Sequence, residues 1–424
     1  MSNFSASREF AEQLNQQDSL ASFRQQFVVN DPDLIYLDGN SLGRMPKSVI
    51  ERMRKAVEEE WGTDLIRGWN KGWWESPTRI GEKIASLLGA AEGQVIVGDQ
   101  TSINLFKLAT AALTLQPEKK RIITDTFNFP SDLYILQGIS KLLGNKHEII
   151  RIGAQDDDIT PDLTALENAI SEDTALVTLS HVTFKSGYLY DMAGITELAH
   201  RKGALVLWDL SHSAGAVPIE LDKCNVDFAI GCTYKYLNGG PGAPAFLYVN
   251  KAIQNMVTSP IWGWWGQSNP FEFDLDYQPA PGIQRFLVGT TPMLSMLAME
   301  EALAPLLKAG IDALRAKSIL MTDYASFLAD HLLAPLGFSL GSPRDSAKRG
   351  SHISIRHPEG YRINRAMIAE LNIIPDFREP DNIRLGFAPL YISFTDIWEG
   401  FDRIRRVVEE KRYEKYPKQR LTVT

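Results

Sequence analysis

Cysteine is nearly absent from this chain: 424 residues contain two, Cys224 and Cys232. They are not spaced as a CxxC pair, so neither a disulfide framework nor a zinc site is indicated, and no metal is expected. A reducing compartment, the cytoplasm, is the expectation. Positive charge is also in deficit. The formal net charge of −8 lacks the basic footprint that nucleic acid or an anionic membrane surface requires. No run approaches the ~20 apolar residues of a membrane span. The opening segment, MSNFSASREFAEQLNQQDSLASFRQQF, carries acidic residues and no continuous apolar stretch, unlike a secretory leader. Internal repeats and low-complexity tracts are missing too.

What remains is an ordinary globular mixture, 44% hydrophobic and 23% charged, in a chain long enough for two domains or one large one. The first residues read as two short helices, the second capped by Asp18, followed by a strand and turn in LIYLDGNSLG. Seven apolar runs then follow: QVIVGD, RIITDT, EIIRI, ALVTLS, ALVLWD, DFAIGC and AFLYV. Helical patterns separate several of them, among them TSINLFKLATAAL, PSDLYILQGISKLL and DMAGITELAHRKG. Strands alternating with helices predict an α/β fold with a mostly parallel sheet covered on both faces. After residue 285, Thr-Thr-Pro opens a long helical region with proline in its first turn. SHISIRH, MIAELNIIPDFR and IRLGFAPLY then suggest a smaller α+β domain. The expected division is residues 1–60 as N-terminal helices on the small domain, 61–285 as the large domain and 286–424 as the small one.

Four places carry chemistry. Asp209 ends the apolar run ALVLWD, with His212 three residues on, and ligands in open α/β sheets sit outside the carboxyl ends of strands. A carboxylate there can hold a cationic heteroaromatic ring; it can equally cap a helix. Thr101 and Ser102 stand at a strand–helix junction suited to phosphate, although the segment has neither a Walker A motif nor GxGxxG. In FNFPSDLY, Phe129 can stack on a flat ring and Asp132 can reach polar groups beside it, or the segment is simply a capped helix start. Lys235, in CTYKYLNGGPG, sits on a glycine-rich turn between two strands. A lysine amine is a nucleophile toward aldehydes where its neutral form is favoured. Together these are the parts of a pyridoxal phosphate site.

IYLDGNSLG, TSINLFK, NFPSDLY, WDLSHSAGAVP, CTYKYLNGGPG, KRGSHISIRHPEGY and IRLGFAPLYISFTDIW, in this order, resemble kynureninases, which have the fold type I of aspartate aminotransferase. The resemblance implies a homodimer with pyridoxal 5'-phosphate at the subunit interface. It also implies hydrolysis of L-kynurenine, or its 3-hydroxy form, to anthranilate or 3-hydroxyanthranilate and L-alanine in tryptophan degradation. By the same resemblance Lys235 carries the cofactor covalently, Asp209 pairs with its ring nitrogen and His212 lies alongside. Thr101, Ser102, Tyr234 and Trp264 contact the phosphate region, with Thr290 supplied by the partner. Phe129 stacks on the ring, and Asp132 and Ser180 complete the cradle. Arg384 takes the substrate carboxylate with Asn40 and Ser41 nearby, and Tyr234 serves as an acid. One departure stands out: GWWGQ places Gln267 where the family commonly has histidine, which bears on substrate preference.

Two other fold type I activities compete with this reading. A cysteine desulfurase needs a nucleophilic cysteine on a mobile loop, whereas Cys224 and Cys232 lie in or beside an apolar strand. An aminotransferase would need a keto acid to complete its cycle. A cofactor-binding regulator would need a DNA-binding segment, for which the acidic chain has no spare length.

Overall fold

The computed structural model describes residues 4–419. All seven apolar runs become strands of one sheet: β2 Val95–Val97, β3 Arg121–Asp125, β4 Glu148–Ile152, β5 Thr174–Ser180, β6 Leu205–Asp209, β7 Phe228–Gly231 and β8 Phe246–Val249. A short strand, β1 Ile35–Tyr36, precedes them. The order is β2-β8-β7-β6-β5-β3-β4. Only β8 runs against the rest. Successive side chains of a strand point to opposite faces, and here both faces are covered. Val206 and Trp208 join one buried apolar cluster while Leu207 joins the other. Phe246 and Tyr248 against Leu247 and Val249 repeat the pattern.

The C-terminal region builds a second, antiparallel sheet from β9 Ser339–Leu340, β10 His352–Arg356, β12 Asp376–Arg378 and β13 Asn382–Gly386, in the order β12-β13-β10-β9. β11 Ile373–Ile374 pairs instead with β1, in parallel. The chain's first segment is thereby stitched to its last third. The helix Arg8–Gln16 lies against the helix Phe394–Glu409, where Asn15 Oδ1 accepts from Phe394 N at 2.7 Å.

Two local expectations change. The second N-terminal helix is a 3₁₀ turn, Ala21–Gln26, and Asp18 accepts from Leu20 N at 2.9 Å while pairing with Lys317 at 2.7 Å. The helix after Thr-Thr-Pro starts at Met293 with Pro292 at its N-cap, so the proline precedes the first turn. That helix, Met293–Ala302, is tied to the helix Ser76–Leu87 of the large sheet's layer: Glu300 accepts from Arg79 at 2.9 Å and Lys83 at 2.8 Å. Pro305 and Gly310 then break the long helical region into Ala304–Ala309 and Ile311–Leu328.

One contact positions everything that follows. Gly43 N donates to the Tyr234 carbonyl at 2.8 Å, clamping the N-terminal segment onto the Lys235 turn. A Cβ at Gly43 would stand 2.3 Å from both Lys235 O and Asn238 Oδ1. Overpacking of this kind costs roughly 1–3 kcal/mol. Gly43→Ala should therefore lower the urea midpoint by that equivalent with an unchanged m-value; an unaltered midpoint would mean that the clamp gives way freely.

Candidate active site

The sheet delivers its polar residues to one edge. Ser180 and Asp209 are the last residues of β5 and β6 and are direct partners across the parallel pair. The turn after β7 carries Tyr234 and Lys235. It closes through Asn238 at φ 59°, Gly240 at 88° and Gly242 at 71°, left-handed values at which glycine is unstrained. That requirement explains the Asn-Gly-Gly-Pro-Gly that follows the lysine. After β2 comes the helix Thr101–Leu115, whose N-cap, Gln100, makes no side-chain capping bond. Its first-turn N–H groups are left open to an anion.

These residues meet in one cavity of about 410 Å³, whose wall includes Thr101, Ser102, Phe129, Asp132, Asp209, His212, Tyr234, Lys235, Ser41 and Arg384. Asp209 is held rigidly: its Oδ1 accepts from Ser211 N at 2.9 Å and Ser211 Oγ at 2.6 Å, and its Oδ2 from Ser180 Oγ at 3.4 Å. Ser180 therefore stands behind Asp209. Phe129 is 42% exposed into the cavity and packs edge-on against Phe184, with ring centroids 5.4 Å apart. Burial first, and then the Asp209 carboxylate, push the Asp132 carboxyl well above its ordinary range, against the pull of Lys235.

Lys235 Nζ lies 3.3 Å from His212 Nε2, and Arg384 Nη1 lies 3.4 Å from the same nitrogen. Burial and these two cations hold the His212 pKa well below its usual value, so the ring is neutral. The neighbouring Cys232 and burial push the Tyr234 phenol upward. Arg384 is 1% exposed but not unpaired. It bonds the Phe184 carbonyl at 2.7 Å, Ser41 Oγ at 2.8 Å and the Asp376 carboxylate.

Not every expected residue reaches this cavity. Asn40 is fully buried with its amide against Gly386, and neither of its polar side-chain atoms has a partner among the described residues. Trp264 packs on Trp74 and Phe271 elsewhere on the surface, and its Nε1 donates to the Pro270 carbonyl at 3.0 Å. Gln267 spends its side chain inside its own loop, accepting from Gln278 N at 2.7 Å and Ser268 N at 3.1 Å. Thr290 is exposed and outside the wall. Conversely, the cavity includes Arg378, and Asp376 stands behind it; neither was expected. Their signal was present in PDFREPDNIR, where a charged pair precedes Arg384 by the length of a hairpin.

Pyridoxal phosphate fits these residues on its own chemical terms. An uncapped helix start offers N–H groups to a phosphate, and an exposed aromatic face awaits a ring. Two buried carboxylates facing one lysine leave room for a cationic ring nitrogen.

Residues 314–404 match the family description "Kynureninase C-terminal domain". The chain is 44% identical over 403 residues to a kynureninase from Pseudomonas fluorescens, covering 94% of each. It also superposes on the cysteine desulfurase CsdA from Escherichia coli with TM-score 0.78 at 18% identity, over 92% of this chain and 99% of that one. A C-DES mutant with glycine covalently linked to its PLP cofactor gives TM-score 0.76 at 19% identity, over 90% and 98%. At such identities these two likenesses speak for the fold alone.

Asp209→Asn keeps an acceptor for Ser211 but removes the charge. A hydrogen bond to a charged group contributes ~1.5–3 kcal/mol, so the dissociation constant for pyridoxal phosphate should rise on the order of ten- to a hundred-fold. Equilibrium dialysis measures it, with circular dichroism checking the fold. An unchanged constant would remove Asp209 as the partner of the ring nitrogen.

Proposed function

The chain belongs to the kynureninase family, and from that premise we propose how its own residues carry out the family's hydrolysis of a carbon–carbon bond. The reaction is L-kynurenine, or 3-hydroxykynurenine, plus water to the corresponding anthranilate and L-alanine. Pyridoxal phosphate, when bound, supplies an aldehyde that condenses with amines and a ring that withdraws electrons. Thr101 and Ser102 would hold its phosphate, Asp209 its ring nitrogen, Phe129 its aromatic face and Lys235 its aldehyde carbon. The single observation that carries this reading is the convergence of Lys235, Asp209 and Arg384 on one cavity from three separate parts of the chain.

With substrate bound, the Lys235 Nζ would be the base that takes the α-proton. His212 is a poor competitor for that role, because burial and the cations beside it lower its pKa far below the usual value and leave it a weak base. Arg384 orients the α-carboxylate with Ser41 beside it. Water adds to the γ-carbonyl carbon and the Cβ–Cγ bond breaks, its electron pair passing to the β-carbon as the aromatic acid leaves. Tyr234 Oη holds the proton that the β-carbon then takes. A phenol with a raised pKa is still protonated at neutral pH, as this role requires.

The protein is further proposed to act as a homodimer. Support comes from exposed apolar surface in one loop, where Phe271, 65% exposed, packs on Trp264 and Phe273 is 73% exposed, surface of the kind that a partner covers. Trp264, Gln267 and Thr290, which do not reach their own cavity, would complete the partner's, where Gln267 would tune the choice between the two substrates. A cytoplasmic setting and a place in tryptophan breakdown and NAD biosynthesis complete the proposal. The free thiols of Cys224 and Cys232 support the first.

Lys235→Ala should lose both turnover and covalent retention of cofactor after borohydride reduction, with anthranilate and alanine release followed by chromatography. Cofactor still attached to the peptide would reassign the lysine. Phe273→Glu should shift the sedimentation coefficient from dimer toward monomer; a parent protein that sediments as a monomer would sink the dimer.

A further inference from the structure

Arg384 has little left to offer a ligand. Its Nη1 faces the Phe184 carbonyl at 2.7 Å and His212 Nε2 at 3.4 Å. Its Nη2 is taken by Ser41 Oγ at 2.8 Å and by the Asp376 carboxylate. The Nε is sealed from solvent and has no partner among the described residues. The two-pronged fork that makes a guanidinium suited to a carboxylate is thus already in use on both prongs. An arriving carboxylate can displace Ser41 but finds no free pair of donors on this residue alone.

Arg378 is placed differently. Asp376 and Arg384 are direct partners across β12 and β13, and Arg378 lies two residues further along β12, on the same face. Its Nη2 is 2.9 Å from the Asp376 oxygen that Arg384 also contacts. The side chain of Arg378 is 33% exposed where that of Arg384 is 1%, and both line the cavity. Its Nε lacks a partner among the described residues. Two like charges are therefore held side by side by one carboxylate, at a cost: burial and the neighbouring Arg384 lower the pKa of Arg378. The acidic groups nearby, Asp376 and Asp38, stand behind the two guanidiniums and do not line the cavity themselves. The cluster is short of negative charge on its cavity side.

We propose that Arg378 and Arg384 together receive the substrate's α-carboxylate, with Arg378 donating from the cavity side and Asp376 fixing the spacing between them. The inference rests on the reading that this cavity takes an amino acid. Kynurenine carries one carboxylate, two amines and a ketone, and only the carboxylate complements a pair of guanidiniums. Arg378 is thereby the residue that distinguishes an amino acid from a simple amine.

The test uses the holoenzyme and two probes, L-alanine and ethylamine, which share an amine but differ in the carboxylate. Binding is followed by the cofactor's absorbance in the parent, Arg378→Gln and Arg378→Lys. The glutamine variant should weaken L-alanine on the order of ten- to a hundred-fold and leave ethylamine unchanged. KM for kynurenine should rise by a similar factor while kcat stays within about two-fold, as loss of uniform binding requires. Arg378→Lys keeps a charge opposite Asp376, so it protects the fold, and it should still weaken L-alanine alone. Equal effects on both probes would mean that Arg378 only supports the structure; no effect on either, in the lysine variant or the glutamine variant, would place it off the substrate. Both results overturn the proposal. A parent that binds both probes but leaves kynurenine intact would overturn the hydrolase reading instead, while the ratio of the two affinities still judges Arg378.

Discussion

A single imidazole that must stay neutral organises this site. His212 Nε2 faces Lys235 Nζ at 3.3 Å and Arg384 Nη1 at 3.4 Å, and both of those atoms carry donors. The lone pair is therefore on Nε2 and the ring proton on Nδ1. Were the ring charged, three cations would crowd a buried space. Burial and the two flanking charges forbid this by lowering the His212 pKa far below its usual value. Neutrality lets His212 accept from Lys235 and also from Arg384 on β13, 172 positions from the histidine in sequence. Ser41, from a third part of the chain, closes on the same guanidinium. The site exists only where these three segments meet.

The charges then arrange themselves by scarcity. On the floor of the cavity two carboxyl groups share one lysine, and the consequence falls on Asp132, which burial first and then the neighbouring Asp209 drive toward its protonated form. Asp209, with three donors in its own first contacts, is the more firmly held of the two. At the substrate end the balance is reversed, with two guanidiniums sharing Asp376. One cavity thus offers negative charge where a basic ring nitrogen belongs and positive charge where a carboxylate belongs.

Much of this was legible in the sequence, and what was not has physical reasons. The seven strands were readable because a sheet covered on both faces makes each strand one continuous apolar run. The same cause hides which residue faces which way, since Trp208 and Leu207 are equally apolar. Asp209, Lys235 and Thr101 were readable because strand ends and a glycine-rich turn mark them locally. The partners of Arg384 were not. Asp376 reaches it only through cross-strand pairing, and Phe184 lies 200 residues away. A reading of NIRLGF alone leaves a costly unpaired cation, which the fold resolves with a carboxylate from the next strand. Asn40 and Ser41 are adjacent in sequence yet part company, one fully buried against Gly386 and the other at the cavity wall. A turn separates neighbours in ways that spacing does not reveal.

The fold itself does not decide the chemistry. At TM-score 0.78 the chain shares its architecture with a cysteine desulfurase, and a fold hosts many reactions. Desulfuration requires a thiolate that can reach the substrate. Here Cys232 is 3% exposed, and burial pushes its thiol up, away from the reactive form. Cys224 is raised for the same first reason and does not line the cavity. Cys232 is instead part of the frame around Asp209: its N–H donates to Ser211 Oγ at 3.1 Å, its Sγ faces the Ser211 carbonyl at 3.9 Å, and Ser211 Oγ in turn donates to the Asp209 carboxylate.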